Sequence, residues 1–106
     1  MSLKDVQRDV DVWTKPFEPQ YWPPHEMLAR MMEEVGELSR EVNHQHGIKK
    51  KKPDEKPSSI SKELFDILFT AACMANAHGI DLQAIWEENM REKQYGRDKD
   101  RFEKKK

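Results

Sequence analysis

The sequence has a single cysteine, Cys73, and no apolar run as long as a membrane span. One cysteine excludes a disulfide within the chain, and the small neighbours in FTAACMANA predict a buried, unreactive thiol. The N-terminal stretch MSLKDVQRDV lacks the apolar core of a signal peptide. We therefore expect a cytoplasmic protein with no membrane partner.

Neither sign of charge is in surplus, since 19 Lys and Arg stand against 20 Asp and Glu. A dedicated nucleic-acid binder would carry a basic excess, so we expect no nucleic-acid partner. Hydrophobic residues make up only 36% of the chain, but they recur at helical spacing instead of being scattered. We therefore expect a folded protein whose small core is completed in part by a partner subunit.

Strand patterns, internal repeats and a glycine-rich phosphate loop are all lacking, and the apolar periodicity predicts helices. Proline clusters, serine and aspartate caps, and glycines delimit them. Ser58 or Ser59 is the expected cap of the third helix, and Asp81 that of the fourth. The predicted spans are about 2–14, 24–46, 59–78, and from 81 to a frayed end near 96.

The predicted architecture is all-α and resembles a four-helix bundle. Residues 1–97 are expected to form the helical domain, with a flexible Lys/Pro linker at 48–58 and a charged tail at 98–106. Trp86 is expected in the core. The predicted inner face of the second helix consists of Leu28, Met31, Val35, Leu38 and Val42. That of the third consists of Ile60, Leu64, Ile67, Leu68, Ala71 and Ala75.

Two pairs of carboxylates interrupt these apolar faces. Glu34 and Glu37 lie three residues apart in EEVGE, and Glu63 and Asp66 lie three apart in ELFD, so each pair shares a helix face. If the two helices pack antiparallel, all four carboxylates can converge. Their mutual repulsion would raise their pKa values and destabilise the fold. A hard divalent cation such as Mg²⁺, which prefers oxygen ligands, would relieve that repulsion.

Three other interpretations of the acidic residues are open. They could be surface carboxylates paired with Arg30, Arg40 and Lys62, because ion pairs at this spacing are common on helices. A di-iron carboxylate bundle needs Glu-x-x-His motifs, of which Glu41 and His44 supply one. A non-catalytic helical module could instead use its acidic face to dock a basic partner.

EEVGE followed by ELFD resembles the E-E-x-x-E and E-x-x-D signature of MazG-like, all-α nucleoside triphosphate pyrophosphohydrolases. The 25 residues between Glu37 and Glu63 fit that family's range. The resemblance implies Mg²⁺-dependent cleavage of a nucleoside triphosphate between its α and β phosphates, with Mn²⁺ as an alternative ion. It also implies a helical fold assembled as a homodimer or homotetramer. By the same resemblance, Glu33 is the catalytic candidate that orients water or adds a ligand, and the metal ligands are Glu34, Glu37, Glu63 and Asp66.

The resemblance also suggests substrate-binding residues at both ends of the chain. Asn89, Lys93 and Arg97 recur every four residues, resemble the family's phosphate-contacting side chains, and suit phosphate oxygens chemically. A solvated helix end is the alternative for these three. Trp13 ends the first helix, where the family tends to build its base pocket, and could stack on a nucleobase. Packing in a core or interface is the alternative for Trp13.

Overall fold

The chain folds into four α-helices, and the computed structural model describes residues 1–105. Lys106, the last residue of the predicted tail, lies outside the described residues. No strand occurs within residues 1–105, which confirms the all-α prediction. None of the helices in that range is long and apolar enough to cross a membrane. The helices are α1 (Leu3–Thr14), α2 (Pro24–His46), α3 (Ile60–Ala77) and α4 (Leu82–Asn89), which continues as a π-helical segment, Met90–Arg97.

Local signals explain where the helices begin and end. Pro24 opens α2, where a missing backbone N–H costs nothing. The Ser59 hydroxyl caps α3 by accepting a hydrogen bond from the Lys62 backbone N–H. Asp81 caps α4 in the same way. Gly79 takes a positive φ of 65° between α3 and α4, a conformation that favours glycine.

Helix α3 is central, because α2 packs against one side of it and α1 against another, while α4 packs on α1. Gln7 of α1 fixes this arrangement at the α3–α4 turn. Its amide nitrogen donates to Asn76 Oδ1 at 2.9 Å and to the Ile80 carbonyl at 2.8 Å. Its amide oxygen accepts from the Leu82 backbone N–H at 2.9 Å. One side chain therefore joins α1, α3 and α4. The acidic residues lie in a different place, the seam where α2 packs against α3.

Acidic side chains, not the predicted apolar stripes, are buried in that seam. The side of α2 that is buried carries Met27, Glu34 and Glu41, spaced seven residues apart. The prediction that the apolar stripes of α2 and α3 are buried is wrong for most of their residues in the single chain, although Ala75 of α3 is buried. The prediction that Trp86 is in the core is also wrong, since Trp86 is 57% exposed. Among the predicted inner residues, those exposed are Leu28, Val35, Val42, Leu64 and Leu68.

Candidate metal centre

Four carboxylates meet where α2 and α3 pack together. Glu34 and Glu37 come from α2, and Glu63 and Asp66 come from α3. One carboxylate oxygen of each residue lies within 4.8 Å of the corresponding oxygen of the other three. Because each pair is spaced by three residues, both members of a pair point from the same side of their helix. The four predicted ligands are therefore brought together by two helix faces.

Two of these carboxylates are buried with an oxygen that has no partner. Glu34 is 1% exposed and Glu63 is 5% exposed. Among the described residues, nothing donates a hydrogen bond to Oε2 of either side chain. A buried charged oxygen without a partner is costly unless a cation or donor compensates it. The donor set and its two unsatisfied oxygens therefore fit a hard divalent cation.

The electrostatics of Glu34 show the same imbalance. Burial raises the pKa of Glu34, and the nearby charges of Asp66 and Glu37 raise it further. Arg30 acts in the opposite direction, with its Nη2 2.6 Å from Glu34 Oε1. The pKa remains raised in spite of this ion pair, so one arginine does not balance the cluster. A divalent cation placed among the carboxylates would balance their negative charge.

Among the described residues, Glu34 is the one clustered carboxylate with an ion pair of the kind that the surface interpretation requires. Arg30 pairs with Glu34 as that interpretation requires, but through Oε1 alone. Arg40 pairs with Glu55 of the loop between α2 and α3, and not with one of the clustered carboxylates. Glu63 takes its hydrogen bond from the Ser58 hydroxyl, at 2.5 Å. Helical spacing indicates neither partner, since Glu55 lies in the loop and the sequence predicts Ser58 only as a possible helix cap.

Glu33, the catalytic candidate, lies outside the four-carboxylate cluster. Its side chain is 65% exposed, and its Oε2 is 3.4 Å from Arg30 Nη1. Glu33 and Glu34 therefore share Arg30 while facing different surroundings. A role for Glu33 in orienting water stays a prediction.

The residues of the di-iron alternative lie near the loop between α2 and α3, not in the cluster. Glu41 Oε1 is 2.7 Å from Lys51 Nζ, and His44 Nδ1 is 3.5 Å from Glu55 Oε2. Within residues 1–105, the cluster contains four carboxylates and no histidine. The arrangement therefore does not supply the Glu-x-x-His ligands that this alternative needs.

A largely apolar cavity of about 1010 Å³ adjoins the cluster, and Glu34 and Asp66 line it together with Trp13. Trp13 is 61% exposed and packs edge-on against Phe69, with ring centroids 5.8 Å apart. The Phe17 ring is also close, with its centroid 5.0 Å from that of Trp13 and the two ring planes tilted. The aromatic candidate and the acidic candidates thus share one cavity, of the size and apolar character of a small-molecule site.

The three polar candidates near the C-terminus lie elsewhere on the chain. Asn89 and Lys93 line a separate groove of about 300 Å³, and the Asn89 amide donates to the Ile85 carbonyl at 2.9 Å. Arg97 pairs with Asp98, with Nε 3.0 Å from Oδ1. Neither Asn89 nor Lys93 lines the cavity beside the cluster. A single chain therefore does not bring the acidic and basic candidates into one cavity.

Comparison with known proteins agrees with the fold and the acidic motifs. Residues 23–102 match the MazG nucleotide pyrophosphohydrolase domain. The chain is 42% identical over 104 residues to YpjD of Bacillus subtilis (strain 168), covering 98% of this chain and 93% of that protein. The crystal structure of B. subtilis YpjD matches with a TM-score of 0.76 at 40% identity, covering 88% of this chain and 95% of that one.

A second crystal structure, of the Bacillus-conserved MazG protein, a nucleotide pyrophosphohydrolase, matches with a TM-score of 0.74 at 40% identity. The alignment covers 88% of this chain and 89% of that one. Both the domain match and the relatives span the α2 and α3 motifs that build the carboxylate cluster. This chain belongs to the MazG family of nucleotide pyrophosphohydrolases, a family of hydrolases.

Proposed function

We propose that this protein is a Mg²⁺-dependent hydrolase that cleaves a ribo- or deoxyribonucleoside triphosphate between the α and β phosphates. Water is added across that anhydride bond, and the products are a nucleoside monophosphate and pyrophosphate. The observation that carries the proposal is the meeting of four carboxylates, two of them buried with an unpartnered oxygen. Mn²⁺, which also accepts oxygen ligands, is the expected substitute ion.

Glu34, Glu37, Glu63 and Asp66 would hold the cation, and their roles differ with their exposure. Glu34 and Glu63 are buried and form the fixed part of the site, whereas Glu37 is exposed and Asp66 half-buried. When bound, Mg²⁺ supplies charge neutralisation for phosphate oxygens and a lowered pKa for a coordinated water. Because Glu37 is exposed, phosphate and water would reach the cation from the solvent side of the cluster.

The nucleoside would occupy the apolar cavity beside the cluster. Trp13 offers an exposed aromatic face there, and contacts with Phe17 and Phe69 fix the orientation of the Trp13 ring. A base stacked on Trp13 would lie in the same cavity as Glu34 and Asp66, and its phosphates would then be directed toward the cluster. Since the other lining side chains are mostly apolar, stacking and shape would contribute most of the binding free energy.

A second copy of the chain is the proposed partner, in a homodimer or homotetramer. The accessible surface of the single chain is 8696 Å². A compact monomer of this mass exposes about 6,200 Å². The radius of gyration is 17.4 Å, against about 13 Å for a compact domain of this length. The excess surface is apolar in part, since Leu28, Met32 and Val35 of α2 are exposed side by side.

Assembly also bears on the phosphate-binding candidates. Asn89 and Lys93 lie in a groove that is distinct from the cavity in their own chain. We therefore propose that they reach the triphosphate from a neighbouring subunit. Arg97 is the weakest of the three candidates, because Asp98 already binds its guanidinium group.

A substrate screen tests the proposal directly. Ribo- and deoxyribonucleoside triphosphates are incubated with the protein, with and without Mg²⁺, and pyrophosphate release is followed. Glu37→Gln and Asp66→Asn should abolish Mg²⁺-dependent release while leaving helical circular dichroism unchanged. Glu88→Gln, the same substitution on an exposed face of α4, is the control that should retain activity. Full activity in both cluster variants, or release of inorganic phosphate in place of pyrophosphate, would overturn the assignment.

A further inference from the structure

The loop between α2 and α3, residues 47–59, is attached to the helices that carry the cluster. Lys51 binds Glu41 on α2, and Glu55 binds Arg40 on the same helix. At the end of the loop, the Ser58 hydroxyl donates to Glu63 Oε1 at 2.5 Å. The Lys/Pro segment that the sequence predicts to be flexible therefore ends in direct contact with a buried carboxylate of the cluster.

The backbone next to Ser58 is held by the start of α3. Ser59 is the N-cap, and its side-chain oxygen accepts from the Lys62 backbone N–H at 3.2 Å. Glu63 follows in the first turn of α3, and its backbone N–H donates to the Ser59 carbonyl at 3.1 Å. The two adjacent serines thus have different roles, since Ser59 stabilises the N-terminus of α3 and Ser58 contacts the Glu63 side chain.

Both buried glutamates have one oxygen engaged from outside the cluster and one oxygen without a partner. On α3, Ser58 binds Glu63 Oε1, and Oε2 is unpartnered. On α2, Arg30 binds Glu34 Oε1, and Oε2 is again unpartnered. A carboxylate held through one oxygen cannot rotate freely about its terminal bond. The contact therefore determines which oxygen remains for a cation.

We infer that Ser58 is a positioning residue, which orients the Glu63 carboxylate so that its unpartnered oxygen is presented to the divalent cation. This inference depends on the proposed metal site. Hydrogen bonds to metal ligands from residues that do not touch the metal contribute about 10-fold to 100-fold in metal affinity. Removing the Ser58 hydroxyl should therefore weaken cation binding without removing any ligand.

The test measures binding of Mn²⁺ or Mg²⁺ alone to the full chain by isothermal titration calorimetry, without nucleotide. Ser58→Ala should raise the dissociation constant about 10-fold or more. Ser58→Thr, which keeps a hydroxyl, should restore near wild-type affinity. Ser59→Ala is the matched control, since it should lower the melting temperature of the metal-free protein and leave the dissociation constant unchanged.

Wild-type affinity in Ser58→Ala would overturn the inference, and so would equal losses in the alanine and threonine variants, because the hydroxyl would then not be responsible. These outcomes leave the proposed function standing, provided that the wild-type protein binds the ion and Glu37→Gln does not. Absence of ion binding by the wild-type protein would overturn both the proposed function and the role of Ser58. Melting temperatures measured in chelator verify that each variant is folded.

Discussion

Glu34→Gln should have opposite effects on stability with and without a divalent cation. Glu34 is 1% exposed, and its raised pKa means that folding makes its charged form less favourable than in the unfolded chain. Glutamine has nearly the same shape, carries no charge, and can donate hydrogen bonds to neighbouring carboxylates. The substitution should therefore stabilise the metal-free protein and remove a ligand from the metal-loaded one.

The size of the first effect follows from the distances in the cluster. Ligand oxygens of Glu34, Glu37 and Asp66 lie within 4.8 Å of one another. At that distance, two like charges repel by about 1 kcal/mol in water and about 3.5 kcal/mol near a protein surface. Loss of the Arg30 ion pair opposes this gain. We expect a net increase of about 1 kcal/mol in the free energy of unfolding, or about 4–5 °C in melting temperature.

The second effect is larger and has the opposite sign. An ion that binds only the folded state stabilises it by about 2.7 kcal/mol when present at 100 times its dissociation constant. For a chain of this length, that amounts to about 12 °C in melting temperature. The wild-type protein should show this increase with Mg²⁺, and Glu34→Gln should show little of it. The order of the two melting temperatures should therefore reverse between chelator and excess Mg²⁺.

Differential scanning calorimetry in EDTA and across a Mg²⁺ titration measures both effects. Glu88→Gln, on an exposed face of α4, controls for the loss of one negative charge and should follow the wild type under both conditions. A lower melting temperature for Glu34→Gln in EDTA would refute the claim that the charged cluster is strained. An undiminished response of this variant to Mg²⁺ would refute the claim that Glu34 is a ligand.

Three further predictions concern other parts of the molecule. Trp13→Ala should raise KM for the nucleotide substrate by about 5-fold to 100-fold with a small change in kcat, as expected for loss of a stacking contact; unchanged KM would contradict the proposed base pocket. Val35→Glu, on the exposed apolar face of α2, should shift the sedimentation-equilibrium mass toward the monomer, whereas an unchanged mass would exclude this face from the interface. Asp98→Asn should lower the melting temperature at pH 7, because Arg97 and Arg101 lower the pKa of Asp98. The stabilisation is present above the ordinary value of 3.8 and lost as pH falls through the folded-state pKa, so the difference from wild type should shrink there.

The helices could be predicted from the sequence because their determinants are local. Proline at the start of α2, Ser59 and Asp81 as caps, and Gly79 after α3 act on backbone groups within a few residues. The carboxylate cluster was also predictable, since spacing of three residues fixes a helix face. Predicting the cluster required only one further assumption, that α2 and α3 pack against each other, and the linker between them permits this.

The partners of the acidic side chains could not be predicted in the same way. Arg40 pairs with Glu55, fifteen residues away in the loop, because the loop folds back onto α2. The contact between Ser58 and Glu63 likewise depends on the path of the loop into α3. Helical periodicity carries no information on where a loop runs, so it could not indicate either contact.

The error in the predicted core has a different physical origin, and it links the metal site to assembly. Positions 27, 34 and 41 of α2 lie about 100° around the helix from the stripe that begins at position 28. One face turns toward α3 and holds the carboxylates, while the apolar face is left exposed in the single chain. A helix that presents carboxylates to its neighbour in the chain has to bury its apolar face elsewhere. The surface that stabilises a second copy would therefore lie on the same rigid helix as Glu34 and Glu37, and loss of assembly should also disturb the ligand geometry.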